Sequence, residues 1–392
     1  MDTRRDISHI IVIGDSLSDR GTLYEKKLFG FLSLNFFSGL QGRSTEGSFA
    51  NGFVWSDNLI SSLANEFTIQ KIKKERMVNN SDIADAVVNG DFYLNKSFRK
   101  YYDLQNDEAA KYRGETFFRS YAEGGLTDYN YAGWPSMNVG RFFSRLILPT
   151  LAEKRVKINA YDHLHNVTQT MKSETLILEW TGANDLITVN AKPSKSEVDR
   201  AVKERIQNAE KLIASGYKNF IMINMPDLSL TPRYQTEKLK DNAIAKKYSD
   251  YFNQKLSKGC AKLRSTYPDC KIDIFDVSSL FTQLYNDPET YGFEKDKLTK
   301  SYVDTKDFKI QKNGTSPSTG YMFWNDVHPS SDVHALLSDA ILDLIHKEYT
   351  TISPDHKHTM KRRASMSDLQ PRARYQKDED DSELIIKRTR SF

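Results

Sequence analysis

IIVIGDSLSD, residues 10–19, is the most telling stretch of the chain. Its four leading apolar residues predict a buried strand, which Gly14 ends. Ser16 follows at the carboxyl end of that strand, where open α/β sheets place their ligands. A serine hydroxyl there becomes a nucleophile if a histidine reaches it to take its proton. His328, in the run FWNDVHPS of residues 323–330, is the histidine that we consider for this role.

Three further apolar runs predict buried strands, and segments of helical period separate them. The strands are expected at residues 175–180, 219–224 and 272–277, and the clearest helix spans 196–214. Strand–helix–strand alternation predicts an α/β fold with a parallel sheet.

A final helix is predicted at about residues 331–348, with Ser330 or Ser331 as its N-cap. Residues 73–106 are polar and rich in Asn, Asp and Lys, so we expect an insertion or an irregular connection there. The fold is expected to end near Thr351. Residues 352–392 then form a charged tail without apolar periodicity, which predicts disorder.

The net charge of +4 is concentrated in the tail, where ten Lys/Arg and seven Asp/Glu follow residue 352. The body of the chain is therefore nearly neutral, which argues against a nucleic-acid partner. Two cysteines, Cys260 and Cys270, have no metal-binding spacing and predict two reduced thiols, with one short-range disulfide as the alternative.

No secretory signal precedes the first predicted strand, and the longest apolar stretch, residues 28–40, is shorter than the roughly 20 residues that cross a bilayer. We therefore expect a cytoplasmic protein without a transmembrane segment, or one exported by a route that leaves its N-terminus intact.

A hydrolytic serine needs a base, a group that orients the base, and donors for the oxyanion that forms on the substrate carbonyl. Ser16 and His328 are the candidate nucleophile and base. The glycine pair Gly124-Gly125 can offer a backbone N–H at close approach because no Cβ blocks it. Asn184 follows the predicted strand 175–180, and its side-chain amide is a second donor.

These residues lie in four blocks that resemble those of the GDSL or SGNH hydrolases. The blocks are residues 14–19, 121–125, 182–185 and 325–329, in the order that the family shows. The resemblance implies a three-layer α/β/α, flavodoxin-like hydrolase domain over residues 1–351. It also implies ester hydrolysis without a metal or organic cofactor, with Gly125 and Asn184 at the oxyanion.

Further stretches resemble the bacterial lipase and acyltransferase branch of that family, namely residues 49–55, 225–232, 287–293 and 323–324. That branch includes phospholipases A, lysophospholipases and glycerophospholipid:cholesterol acyltransferases. The resemblance implies a phospholipid or lysophospholipid ester as substrate, with acyl transfer to a sterol or other alcohol as the alternative.

One departure from the family concerns the residue that orients His328. The family places an Asp three residues before the histidine, where this chain has Asn325; Asp326 is only two residues before it. An Asn can accept the Nδ1–H but cannot stabilise an imidazolium, and the corresponding Asp-to-Asn change costs a serine protease about 10⁴ in kcat. Asp326 through a backbone shift, Asn325 with a backbone carbonyl, or neither could orient the ring. The departure also motivates a third hypothesis, a catalytically weak or silent protein that binds lipid or a partner.

Other segments carry lesser hypotheses. The apolar residues 28–37 form either buried packing or a lip that contacts lipid or a membrane surface. In the tail, RRAS at residues 362–365 matches a basophilic kinase site at Ser365, and the C-terminal end is similar to the secretion signals of bacterial effectors, including type IV effectors. The remaining histidines without a partner motif, interpreted as surface or core residues, are His9, His163, His165 and His334.

Overall fold

A computed structural model describes residues 4–28, 32–33, 40–89, 101–133, 145, 147–190, 192–235 and 239–355. The strands are β1 (Arg5–Ile7), β2 (His9–Gly14), β3 (Lys27–Leu28), β4 (Leu32–Ser33), β5 (Tyr102–Asp103), β6 (Ala109–Tyr112), β7 (Glu115–Ser120), β8 (Thr175–Trp180), β9 (Asn219–Ile223), β10 (Lys271–Phe275) and β11 (Tyr349–Thr351). The α-helices are α1 (Thr22–Glu25), α2 (Trp55–Arg76), α3 (Asn80–Val88), α4 (Leu151–Leu164), α5 (Gln169–Ser173), α6 (Ala183–Ile187), α7 (Lys195–Ala214), α8 (Pro232–Gln235), α9 (Leu239–Thr266), α10 (Val277–Asn286) and α11 (Ser331–Glu348).

The main sheet of the described residues has seven strands in the order β10-β9-β8-β2-β7-β6-β5. Its first five strands are parallel, and β6 and β5 extend it as an antiparallel edge. The chain leaves β2 toward β7 on one side and returns to β8 on the other. Ligand sites of such sheets lie at the carboxyl ends of the strands beside this reversal, so the end of β2 is the expected position.

Both faces of β2 are covered by helices, which explains its uninterrupted apolar run. Ile10 and Val12 face the cluster built with α2 and α11, whereas Ile11 and Ile13 face the cluster built with α4, α7 and α9. Alternate side chains of one strand therefore enter opposite cores. The predicted three-layer α/β/α architecture with a parallel sheet is confirmed.

Most of the predicted elements match the structure to within one or two residues at their ends. The strands predicted at 175–180, 219–224 and 272–277 are β8, β9 and β10, and the helices predicted at 196–214 and 331–348 are α7 and α11. Ser330 occupies the N-cap position of α11.

Of the two alternatives for residues 73–106, the irregular connection is wrong for the described part of that range, and the insertion stays a prediction. The range contains the end of α2, all of α3, and β5; residues 90–100 lie outside the described residues. The polar composition did not reveal this helix because α3 buries few apolar side chains. Its Ile83 packs against Ile72 in a small separate cluster.

The chain divides into two units, Met1–Pro354 and Asp355–Phe392. The boundary that we predict at Thr351 coincides with the end of β11, but the separate tail of residues 352–392 stays a prediction. Residues 356–392, on which the kinase and secretion hypotheses rest, lie outside the described residues. Residues 29–31 and 34–39 of the apolar stretch lie outside them as well.

Cys260, which is buried, and Cys270, which is half-buried, are both free thiols. His334 is buried in α11, His9 is half-buried, and His163 and His165 are exposed. None of the helices in the described ranges combines the length and the apolar composition that crossing a membrane would take.

A buried ion pair holds the carboxyl ends of β8 and β9 together. Arg205 of α7 and Glu179 of β8 are fully buried, with 2.9 Å between Arg205 Nε and Glu179 Oε1. The other guanidinium nitrogens donate to the backbone carbonyls of Glu179, Thr181 and Ile223 at 2.8–3.3 Å. Asn208 donates to the second carboxylate oxygen at 2.8 Å. Both charges are therefore compensated and fully hydrogen-bonded, which a buried pair requires.

We expect Glu179→Gln to lower the free energy of unfolding by about 3–5 kcal/mol, because it leaves the buried guanidinium without a counter-charge. Denaturant unfolding of purified protein measures this. Arg43→Gln is the control, because Arg43 pairs with Asp304 at the surface, where both side chains are about half exposed. Equal effects of the two substitutions would contradict the assignment.

Candidate active site

The turn after β2 presents Ser16 at the reversal point of the sheet. Asp15 closes this turn, since its carboxylate accepts the N–H of Leu17 at 3.0 Å and its carbonyl accepts that of Ser18 at 3.0 Å. A Cβ at Gly14 would lie 2.5 Å from Ser18 Cβ, so the turn requires a glycine there.

His328 reaches Ser16 from the loop before α11. The distance from His328 Nε2 to Ser16 Oγ is 2.7 Å, although the two residues are 312 positions apart in the chain. The ring is further held by Phe49, which stacks on it with 4.9 Å between ring centroids and 29° between planes.

Asn325 fixes the tautomer of His328. Its Oδ1 accepts the backbone N–H of Val327 at 3.0 Å and that of His328 at 2.7 Å, and it lies 3.0 Å from His328 Nδ1. Two backbone donors identify the atom that faces them as the amide oxygen, because the amide NH₂ could not accept from them. Nδ1 must therefore carry the proton, which leaves Nε2 as the acceptor for the Ser16 hydroxyl.

Asp326 has a different partner. Its Oδ2 lies 2.7 Å from Arg233 Nε, and its backbone carbonyl accepts the Arg233 N–H at 2.9 Å. Of the alternatives that the spacing left open, the structure thus brings Asn325 to Nδ1 and places Asp326 on Arg233.

Burial keeps His328 neutral. Burial lowers the pKa of the imidazole to about 4; the Asp326 charge acts to raise it and the Arg233 charge to lower it further. At neutral pH the ring is uncharged and can accept a proton, but the neutral amide of Asn325 gives the imidazolium little stabilisation.

Asn184 lies on the first turn of α6 and lines the same pocket as Ser16 and His328. Its Oδ1 accepts the Thr188 hydroxyl at 2.6 Å, and its Nδ2 donates to the Leu126 carbonyl at 3.0 Å. The amide nitrogen carries a second hydrogen, which is a donor for a group bound in the pocket.

Gly125 does not line that pocket, but both of its neighbours are anchored to the site. Leu126 accepts from Asn184, and the Gly124 N–H donates to the Asp19 carboxylate at 2.7 Å. Gly125 has φ +81°, and a Cβ there would lie 2.3 Å from Leu148, so only glycine fits.

Two backbone donors remain in the segments that follow β2 and β7. In the ranges that the structure describes, the N–H groups of Ser16 and Gly125 donate no hydrogen bond to another protein atom. Ser16 and Asn184 line the pocket, whereas the role of the Gly125 N–H at an oxyanion stays a prediction from the family resemblance.

Asp19 connects the nucleophile segment to the glycine block. Besides Gly124, its carboxylate accepts the N–H groups of Gly21, Thr22 and Leu23 at 2.7–3.2 Å. Burial raises the pKa of Asp19 to about 6, and these hydrogen bonds act in the opposite direction.

The stretch 49–55 contributes contacts that sequence reasoning did not assign. Besides the Phe49 stacking, Asn51 Oδ1 accepts the Ser331 N–H at 2.9 Å at the start of α11, and Trp55 Nε1 donates to Ser18 Oγ at 3.1 Å. The resemblance of residues 49–55 to a family block was the available signal, but it named no roles.

A pocket of about 100 Å³ opens beside Ser16 and His328. Its apolar wall comes from Leu17, Ile187, Pro226, Leu228, Phe281 and Val327. Its cationic group is Arg233, which the sequence analysis did not single out.

Known proteins similar to this chain include two bacterial ones. The phosphatidylcholine-sterol acyltransferase of Aeromonas hydrophila is 25% identical, covering 89% of this chain and 93% of that protein. The secreted effector protein SseJ of Salmonella typhimurium is 24% identical, covering 88% of this chain and 65% of that protein, so the chain spans just under two thirds of its length.

A solved structure of BT4096, a gut microbial diltiazem-metabolizing enzyme, aligns with a TM-score of 0.36 and 10% identity over 88% of this chain and 48% of that chain, and carries no weight for the fold. A family model described as GDSL-like Lipase/Acylhydrolase matches residues 10–341, which include all four blocks. The resemblance is thereby confirmed, and the chain belongs to the GDSL-like lipase/acylhydrolase family.

Proposed function

We propose that this protein hydrolyses acyl esters of phospholipids or lysophospholipids through an acyl-enzyme on Ser16. The observation that carries the proposal is the 2.7 Å contact between Ser16 Oγ and His328 Nε2, with Nδ1–H oriented by Asn325. A serine hydroxyl hydrogen-bonded to a neutral imidazole of the correct tautomer is an activated nucleophile.

In the first step Ser16 Oγ bonds to the ester carbonyl carbon while its proton passes to His328 Nε2. The carbonyl π electrons move to oxygen, and the N–H groups of Ser16 and Gly125 with the Asn184 amide stabilise that charge. Collapse breaks the bond to the alcohol, which takes the proton from His328. Water then attacks the acyl-serine with His328 again as base, which releases the fatty acid and restores Ser16.

A lipid substrate is supported by the pocket and by the relatives. The apolar side chains beside Ser16 can bury part of an acyl chain, and each buried methylene contributes about 0.8 kcal/mol. Phosphatidylcholine is in the name of the Aeromonas relative, which aligns over nearly all of both chains.

Acyl transfer from the same acyl-enzyme is the second candidate, because that relative is named as a sterol acyltransferase. An alcohol would then replace water as the acceptor. Incubation with acyl-labelled phosphatidylcholine and cholesterol distinguishes the two: labelled steryl ester indicates transfer, and labelled free fatty acid alone indicates hydrolysis.

We expect Ser16→Ala to lower the turnover of p-nitrophenyl butyrate and lysophosphatidylcholine by at least about 10³, because the nucleophile is lost. A fluorophosphonate probe should label the wild type at Ser16 and leave the variant unlabelled. Ser196→Ala, in an exposed position of α7, is the control. Unchanged turnover in purified Ser16→Ala would refute the mechanism, and an unlabelled wild type would favour the silent lipid-binding hypothesis.

We expect Asn325→Asp to raise kcat by about tenfold or more. The upper limit is about 10⁴-fold, because the opposite change, Asp to Asn, lowers the kcat of a serine protease by about that factor. A carboxylate beside Nδ1 stabilises the imidazolium and so raises the pKa of His328 from about 4. Because only neutral His328 acts as the base, the acid limb of kcat/KM should move to higher pH.

Profiles of kcat/KM against pH for the wild type and the variant measure this shift. Asn325→Ala is the matched control, because it removes the acceptor of Nδ1–H and should lower kcat. An acid limb and a kcat that are the same in wild type and Asn325→Asp would show that residue 325 does not act through His328.

A further inference from the structure

Arg233 is the cationic side chain in the described part of the pocket that holds Ser16 and His328. It lies at the start of the short helix α8, and its side chain is about one-third exposed. Its partner Asp326 precedes His328 by two residues, so the ion pair lies beside the catalytic loop.

We propose that Arg233 is the subsite for the substrate's phosphate, and that Asp326 occupies this subsite until a phosphate-bearing ester displaces it. This inference rests on the proposed function and names the part of the lipid that the pocket selects. A planar guanidinium binds phosphate and carboxylate by the same paired N–H···O geometry, so a phosphate can replace the carboxylate.

The exchange costs little because the pair is near the surface. The side chains of Arg233 and Asp326 are 32% and 45% exposed, and ion pairs of this exposure contribute about 0–1 kcal/mol. A phosphate oxygen bound to Arg233 gains a charge-assisted hydrogen bond, and the released Asp326 carboxylate can be hydrated at the pocket mouth.

The catalytic loop keeps its position when the ion pair opens. The backbone N–H of Arg233 still donates to the Asp326 carbonyl at 2.9 Å, independently of the side chains. The hydrogen bonds from the backbone and ring of His328 to Asn325 are also untouched by the exchange. Phosphate binding can therefore proceed without displacing the imidazole from Ser16.

The chemistry of a glycerophospholipid matches this arrangement. Its scissile ester and its phosphate are joined through the glycerol carbons, so a substrate with its carbonyl at Ser16 can extend its phosphate along the pocket to Arg233. A monoacylglycerol offers the same ester and no anion, and gains nothing from the guanidinium.

The experiment compares lysophosphatidylcholine with a monoacylglycerol of the same acyl chain in wild type, Arg233→Gln and Arg233→Lys. We expect Arg233→Gln to lower the ratio of the two kcat/KM values by about 10- to 100-fold, mainly through the KM of the phospholipid, because a charge-assisted hydrogen bond is lost. Arg233→Lys should restore part of the ratio, since Lys keeps the charge but not the paired geometry.

Arg43→Gln is the matched control. It also removes a guanidinium that is paired with an aspartate, but Arg43 is not among the described residues that line the pocket. It should leave the ratio unchanged. Glycerol 3-phosphate and inorganic phosphate are added as competitors. Stronger competition by glycerol 3-phosphate supports a headgroup subsite, and equal or stronger competition by inorganic phosphate overturns it in favour of a site for the free ion.

An equal loss on both substrates in Arg233→Gln would overturn the inference, because Arg233 would then only support the catalytic loop. A ratio unchanged by Arg233→Gln would also overturn it. A wild type that cleaves monoacylglycerol but not lysophosphatidylcholine refutes the phosphate subsite and leaves ester hydrolysis standing. A wild type that cleaves neither refutes the proposed function as well.

Discussion

The site depends on one amide oxygen. Asn325 Oδ1 receives two backbone N–H groups and the Nδ1–H of His328, and these contacts decide both where the ring lies and which nitrogen faces Ser16. In most serine hydrolases a carboxylate also supplies negative charge to the imidazolium. Here the two contributions are separated, because the amide of Asn325 orients the ring but carries no negative charge. The geometry of a catalytic pair is thus preserved with a weaker electrostatic contribution to the transition state.

The sheet supplies the frame in which this contact forms. β2 lies between β7 and β8, so Ser16, the glycine block and Asn184 all follow strands that end at the same edge. Buried carboxylates then hold the loops: Asp19 holds the glycine block, and Asp185 accepts the N–H groups of Asp128 and Tyr129 at 2.8 and 3.0 Å. Burial raises the pKa of Asp185, and the hydrogen bonds from the two backbone N–H groups act in the opposite direction.

The sheet and the four blocks could be predicted from the sequence because both signals are local. A strand covered on both faces is a continuous apolar run, and α7 shows a clear 3.6-residue period. The choice between Asn325 and Asp326 was only partly local. The backbone N–H groups of residues 327 and 328 turn back to Asn325 within three residues, but Asp326 is held by Arg233, which is 93 residues away. Spacing alone fixes neither. Arg233 itself was missed because a single arginine in a short helix has no pattern.

The pairing of β1 with β11 has a consequence for when activity can arise. These strands align Arg5 with Tyr349 in parallel, and α11, which follows the His328 loop, leads directly into β11. Ribosomes deliver the chain from its N-terminus, so Ser16 emerges early and His328 follows it by 312 residues. A nascent or partly unfolded chain therefore has a serine without a base. Any activity that depends on this pair begins only once the two ends of the unit have met.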